Sequence, residues 1–523
     1  MNENIGFEPL RDALDAVMMN PTGSHEWHRL TACLGVAEAQ PLRAAVVAEL
    51  TAAPIEASAE GFLRATFLAS ASGDVKYSAI AAGLLPDIRP LFPDRLAAFI
   101  ACESALALQC TPTRDAFVER LRAIRVPMVA QRLAQEVEAR HPPRLPERAI
   151  GVVGKVAIIA PYLGGPMHTP TRMVLEQARV LLAQGLEVHA LSAQELTLRD
   201  MSHFYGDGGR VSHDAPDPEV LGRIAPPGLR IHIAGKHTTL MSRYPALLER
   251  LRDFDPDLVF LIGLHSPLAA MLHRVRPVLG LATNSVPPIS PVDAWLAADA
   301  ALDCRQVRPW APDIPACEAH YHPFRVAMQL PAAPASRARL GLPEEALLLI
   351  TVGFRLPDEI GGRWAARMVT FLREHPQATW ILLGGAGVRP PRLAEIPDER
   401  LILLATRDDV PDVLAACDVL VNPPRVGGGF SVAEAMAASL PVVTHSGSDG
   451  GDKVGDSAVP DDDAYFGLLG RLVDDAQSRN VLGAQMRTIF AARLDLASSG
   501  PSLLKASEKA VVAFHRRRAT PVS

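Results

Sequence analysis

The chain has 523 residues, 48% of them hydrophobic and 21% charged, with a formal net charge of −6. That balance suits a globular protein of about three domains, each long enough to bury a core, and excludes the overall basic character of a nucleic-acid binder. Six cysteines (Cys33, Cys102, Cys110, Cys304, Cys317, Cys417) stand apart from any C-x-x-C pair. A zinc site or disulfide framework is therefore not expected, and a reducing cytoplasm is. The first ten residues lack the basic-then-apolar order of a signal peptide, and no apolar run reaches membrane-spanning length. A cytoplasmic protein is expected, with peripheral membrane contact left open.

Residues 1–145 read as a helical domain. Ala and Leu recur at helical spacing in 42–50, 62–69, 95–108 and 115–137, punctuated by prolines from Pro41 to Pro127. No constellation there suggests catalysis. The expected roles are packing, docking of a partner or oligomer contact. His141-Pro142-Pro143-Arg144-Leu145-Pro146 reads as a linker.

Lys155–Ala160 is apolar enough for a buried strand, and Pro161 to Gly165 forms a turn. Thr169 is the expected N-cap of the next helix, with Pro170 at its first position. Gly185 ends that helix and Glu187–Leu191 is the next strand, a βαβ unit with a right-handed crossover. His168 lies just before the helix start. It is either a histidine that bonds a loop carbonyl or a group that touches a ligand, with general-base chemistry available to an imidazole near neutral pH. Tyr205 to Gly209 reads as a surface loop. Asp257–Gly263 is another strand, and His265 and Ser266 follow it. Ligands of open parallel sheets sit beyond the carboxyl ends of the strands, so His265 faces the same crevice as Gly164, as a catalytic or a satisfied loop histidine. Gly280–Thr283 is a short strand. Asp293, Trp295, Asp299 and Asp303 fit an acidic helix.

Residues 324–339 form an interdomain linker. Beyond it, the apolar runs 347–353, 380–384, 401–405, 418–421 and 441–444 alternate with helical patterns, which predicts a second parallel, doubly wound domain. Arg355 follows the first of these strands. A guanidinium there suits a phosphate, and a plain surface arginine is the alternative. Gly384, Gly385 and Gly387 close the next strand. The most informative stretch is Asp418 to Gly455. A strand ends at Pro423-Pro424, Gly427-Gly428-Gly429 follow, a helix starts near Phe430, and Leu440–Thr444 is the next strand. Three glycines where a strand hands over to a helix allow close approach of a ligand, and the helix start favours a phosphate. Ser431 and Glu434 also form an S-x-x-E capping box, which needs no ligand. Lys453 is a further cation, for a phosphate or for solvent. Residues 503–518 form an amphipathic helix ending in Arg516, Arg517 and Arg518.

Asn422-Pro423, Glu434-Ala435-Met436-Ala437 and Pro441-Val442-Val443 resemble, in that order, the nucleotide-sugar motif of glycosyltransferases of the GT-B fold, especially family 4. A weaker likeness to the family 41 protein glycosyltransferases lies in residues 291–303. The resemblance covers about 155–518. It implies an α/β protein of GT-B type: two Rossmann-like doubly wound domains facing a cleft, plus the N-terminal all-α domain. The boundaries expected are 1–145 helical, 151–325 acceptor side, 340–500 nucleotide-sugar side, and 501–523 a helix crossing back to the first Rossmann-like domain.

By resemblance, Gly164, Gly165, Arg355, Gly428, Gly429, Phe430, Ser431, Glu434 and Lys453 bind the donor, with Glu434 on the ribose hydroxyls. His168 and His265 are the catalytic candidates. The family's first glutamate, which holds the donor sugar, is replaced by Val426, or by Gly427 if the alignment slips by one. The family's lysine after the Arg355 turn is also unmatched. The resemblance implies a metal-independent hexosyltransferase-like enzyme with no cofactor beyond its nucleotide-sugar donor. Its acceptor would be a glycan, a lipid-linked sugar or a protein. A silent GT-B binding module and a sugar-nucleotide epimerase or hydrolase are the alternatives.

Overall fold

The computed structural model describes residues 7–519 except 22–23, 35–36, 87–92, 166–167, 197–217, 236–238, 299–309, 311–316, 328–329, 331–332, 334 and 386. The loop expected at Tyr205–Gly209 and the carboxylates of Asp299 and Asp303 lie outside them.

From Glu8 to Arg140 the described chain is helical. The helix starts follow local chemistry. Ser58, Asp74 and Thr113 each cap a helix by accepting a bond from a backbone N–H of the first turn. One side of these helices closes a core of its own around Leu14, Trp27, Leu50 and Phe67; the other side does not. Phe62, Phe99, Phe117 and Leu133 share one apolar cluster with Val259, Leu261 and Trp295 of the adjoining sheet. Burial on that scale makes the helical region and the first α/β unit one packed body.

The first sheet holds β1 (Lys155–Ile159), β2 (Glu187–Ser192), β3 (Arg230–Ile233), β4 (Leu258–Ile262), β5 (Val278–Leu281), β6 (Ala294–Ala297) and β7 (Glu318–Tyr321). The order is β3-β2-β1-β4-β5-β6-β7, with parallel pairing throughout. The acidic helix expected around Asp293 is instead β6. Asp293 stands just before it and accepts from the Val278 N–H at 2.8 Å, and Ala294 to Ala297 are fully buried, as an inner strand requires. The helix after β1 is Thr169–Ala183, so its N-cap is His168, one residue before the expected Thr169.

The second sheet holds β8 (Leu347–Val352), β9 (Ala378–Leu383), β10 (Leu401–Leu404), β11 (Val419–Val421) and β12 (Val442–Val443), in the order β10-β9-β8-β11-β12, again parallel. Both sheets are thus doubly wound. The helix Gly500–Ala519 returns to the first sheet, where Leu503, Ala506 and Ala510 join the cluster of Val156, Phe260 and Leu279. Its arginines turn back onto protein. Arg516 meets Glu318 at 2.7 Å, Arg517 meets Asp293 at 3.0 Å, and Arg518 meets Glu147 at 3.3 Å. No helix among the described residues is long and apolar enough to cross a membrane.

Candidate functional site: the glycine bend between two sheets

β11 runs into Asn422, whose buried amide donates to Thr444 Oγ1 at 3.0 Å and to Asp449 Oδ1 at 2.9 Å. These bonds tie the strand end to the loop after β12 and set the path of the bend. Each glycine leaves room for a neighbour. A Cβ on Gly427 would stand 2.8 Å from Asp449 Oδ2, and one on Gly428 would stand 2.5 Å from the Thr283 carbonyl of the first unit. One on Gly429 would stand 2.2 Å from the Asp449 carbonyl and 2.8 Å from Lys453 Cε. Gly429 also takes the left-handed conformation, φ 63, and is the N-cap of the helix Phe430–Ala437. The Ser431–Glu434 capping box is therefore absent. Ser431 lies inside the first turn, where its hydroxyl accepts from Arg425 Nη2 at 3.0 Å. Phe430, half-buried, packs against the cores of both units.

Arg355 stands at the end of β8. Its Nη2 donates to the Val426 carbonyl at 3.0 Å and pairs with Glu359 at 2.6 Å, and its side chain stays about one-third exposed, at 35%. Behind it lies Arg425, which the sequence reading passed over. The buried Arg425 pairs with Glu359 at 3.0 Å and with Asp449 at 3.4 Å. Burial opposes the charge on Glu359, but Arg425 and Arg355 outweigh it and hold that carboxyl below its ordinary value. The available signal was an arginine between a proline-ended strand and the bend, a place where only a paired charge can be buried.

Glu434 faces across the cleft. Arg172, from the helix after β1, donates to its Oε1 at 3.2 Å and lies 3.7 Å from Glu176. Burial raises the pKa of Glu434, with Arg172 partly offsetting it. Glu176 is pushed up to about 7, by burial first and by Glu434 beside it, against the pull of Arg172. The sequence showed neither Arg172 nor Glu176 as a site residue, because their partner sits 262 positions away from Arg172.

Lys453 is not the exposed lysine that one reading allowed. It is buried, donates to Asp452 at 2.7 Å, and reaches Ser285 Oγ of the first unit at 3.3 Å. Opposite the bend, the Gly164 N–H donates to Thr171 Oγ1 at 2.8 Å, and His168 Nδ1 lies 2.9 Å from the same oxygen. The His168 ring also meets Tyr162 edge-on, with centroids 5.1 Å apart. Thr171 thus fixes both the loop and the ring. Gly165 has open space where a Cβ would point.

His265 Nδ1 lies 2.9 Å from Ser290 Oγ, and complete burial pulls its pKa down to about 3. Burial thus works against the basicity that the general-base expectation for His265 needs. His265 lines a cavity of about 300 Å³ between the helices Val126–Arg140 and Pro267–Leu272.

These cations around the bend are held by carboxylates: Arg355 and Arg425 share Glu359, Lys453 and Arg114 share Asp452, and Arg172 holds Glu434. Such a site is fixed in place before any anion arrives. Residues 346–475, which contain Arg355, the bend, Glu434 and Lys453, match the family model for Glycosyl transferases group 1. A mutant O-GlcNAc transferase from Thermobaculum terrenum superposes with a TM-score of 0.50 at 14% identity, over 97% of this chain and 94% of that one. The chain has the GT-B fold, and its residues 346–475 match the group 1 glycosyltransferase model.

HepE of Anabaena, solved in complex with UDP-glucose, matches this GT-B chain with a TM-score of 0.46 and 13% identity, over 69% of this chain and 99% of its own. TarM does so with 0.48 and 10%, over 69% and 98%. No curated protein matches the chain in sequence.

Proposed function

We propose that this GT-B protein transfers a sugar from a nucleotide-sugar donor to a glycan, lipid-linked or protein acceptor. The observation that carries the reading is the group 1 domain at 346–475, whose glycine bend abuts Thr283 and Ser285 of the facing unit. In this reading Arg355, about one-third exposed, exchanges Glu359 for the donor diphosphate. Arg425 stays behind and keeps Glu359 and Ser431 in place. The helix start at Phe430 and Ser431 and the ammonium of Lys453 add to the field that stabilises the departing diphosphate, as fixed charges and dipoles do without reorganisation. Gly428, Gly429 and Phe430 form the wall against the first unit. Glu434 takes the ribose hydroxyls. Gly164 and Gly165, from the acceptor-side unit, meet the donor phosphates, and His168, oriented by Thr171, is the base for the acceptor hydroxyl. Protein cations serve where other enzymes use a metal.

The test is a screen of nucleotide sugars against the purified protein, read as released nucleotide, with Arg355→Ala beside the wild type. Loss of a charge-assisted bond of about 1.5–3 kcal/mol weakens nucleoside-diphosphate binding roughly tenfold to a hundredfold. Unchanged binding and turnover in that variant removes Arg355 from the site. One observation favours a second reading, a binding module without transfer. Val426, where the resembling family carries its sugar-holding glutamate, is fully buried in an apolar core. Nucleotide binding with no release under any acceptor would select that reading.

A further inference from the structure

The helical region touches the second unit through a buried ion cluster. Arg114, the first residue of the helix Arg114–Ala123, sends its Nη1 to 3.3 Å from Asp452 Oδ1. Asp452 also receives Lys453 Nζ at 3.0 and 2.7 Å on its two oxygens. All three side chains are at least nine-tenths buried, with Arg114 at 5% exposure and the other two at 1%. Beside them Thr113 closes on the loop after β12, 3.1 Å from where a Cβ of Gly447 would lie. One carboxylate is thus shared by two cations drawn from different regions of the chain. Lys453 in turn sits under Gly429 and reaches the first unit through Ser285.

We propose that Arg114 is a positioning residue for Lys453, so that the helical region is a working part of the donor site. The proposal rests on the reading of Lys453 as a donor contact. With Arg114 present, Asp452 divides its charge and the cluster carries a net positive charge beneath the bend. Without it, Asp452 belongs wholly to Lys453, the pair is neutral, and the ammonium is drawn towards Asp452. The charged groups facing Lys453 are Asp452 on its own helix, Arg114 from the helical region and Arg325 from the segment after β7. Ser285 and the Asp449 carbonyl are its neutral neighbours. Burial lowers the Lys453 pKa, Asp452 opposes this, and Arg325 and Arg114 add to the lowering. Removing Arg114 therefore raises it.

The experiment measures inorganic pyrophosphate binding to the full chain by calorimetry across neutral to alkaline pH. Arg114→Ala is expected to weaken binding about tenfold, the effect of one unit charge at short range in a partly screened site. Relative to wild type, its alkaline limb moves to higher pH. Arg114→Lys restores most of the affinity, and Glu138→Gln, at the separate contact of the helical region with Arg274, changes nothing. Wild-type affinity and pH profile in Arg114→Ala, while Lys453→Met loses binding, overturns the proposal. So does a loss that Arg114→Lys fails to restore. Wild-type binding in Lys453→Met shows instead that the donor-site reading of Lys453 is wrong, and the proposal falls with it. If Arg114→Ala does not fold, Arg114→Gln is judged on the same outcomes.

Discussion

Glu195 shows what burial does to a single residue. It follows β2 and is fully enclosed, and its Oε1 accepts from Ser266 Oγ at 3.1 Å, Tyr244 OH at 3.2 Å and the Leu268 N–H at 3.3 Å. Burial pushes its pKa up to about 8, against the bonds from Ser266, Leu268 and Tyr244. The native carboxyl keeps its proton to about pH 8, while the unfolded chain ionises near the ordinary carboxylate value. Stability from this group is complete below that ordinary value and declines as pH rises towards 8. Glu195→Gln keeps the three bonds and removes the decline. Thermal melting should show the variant matching wild type in mild acid and exceeding it by about 5 kcal/mol above pH 8, at roughly 1.4 kcal/mol per pKa unit. A gap that stays constant with pH would show that Glu195 is already ionised in the fold. His265 obeys the same physics with the opposite sign, which is why a residue type and a strand end could not by themselves make it a base.

The bend is the element on which the sequence spoke most clearly, yet its glycines answer to packing as well as to any ligand. Gly429 combines a positive φ with an Asp449 carbonyl 2.2 Å from its missing Cβ. Gly429→Ala should cost about 2–4 kcal/mol in urea unfolding, from backbone strain and a neighbour that cannot yield. Gly165→Ala, with open space at the added carbon, should fall within about 0.5 kcal/mol of wild type. Equal costs at the two positions would show that the bend relaxes. The strand–turn–helix–strand order was legible because apolar runs and glycines are local. The capping box was misread because a motif of four residues fits several geometries, and the choice fell to Arg425 and Arg172 from outside it.

At the scale of the molecule, Arg172 is the direct ionic bridge from the first unit to the helix behind the bend. Its loss leaves two buried carboxylates, Glu176 and Glu434, without their shared cation. Arg172→Ala should separate the two units, seen as a larger radius of gyration in small-angle scattering and a lower melting temperature, more so at pH 8 than at pH 6 because Glu176 titrates at about 7. An unchanged radius would show that the contacts of Phe430, Gly428 and Lys453 with the first unit hold the cleft without the ion pair.

The sequence by itself determined the two doubly wound sheets, the position of the bend and the placing of Arg355 beyond a strand end. Periodicity, glycines and strand polarity are written residue by residue. Only the tertiary structure decided that the helices share a core with the first sheet, that Lys453 is buried, and that Arg425, Arg172 and Arg114 surround the bend. Those facts are pairings between charges far apart in the chain, and a charge does not name its partner until folding has removed the water between them.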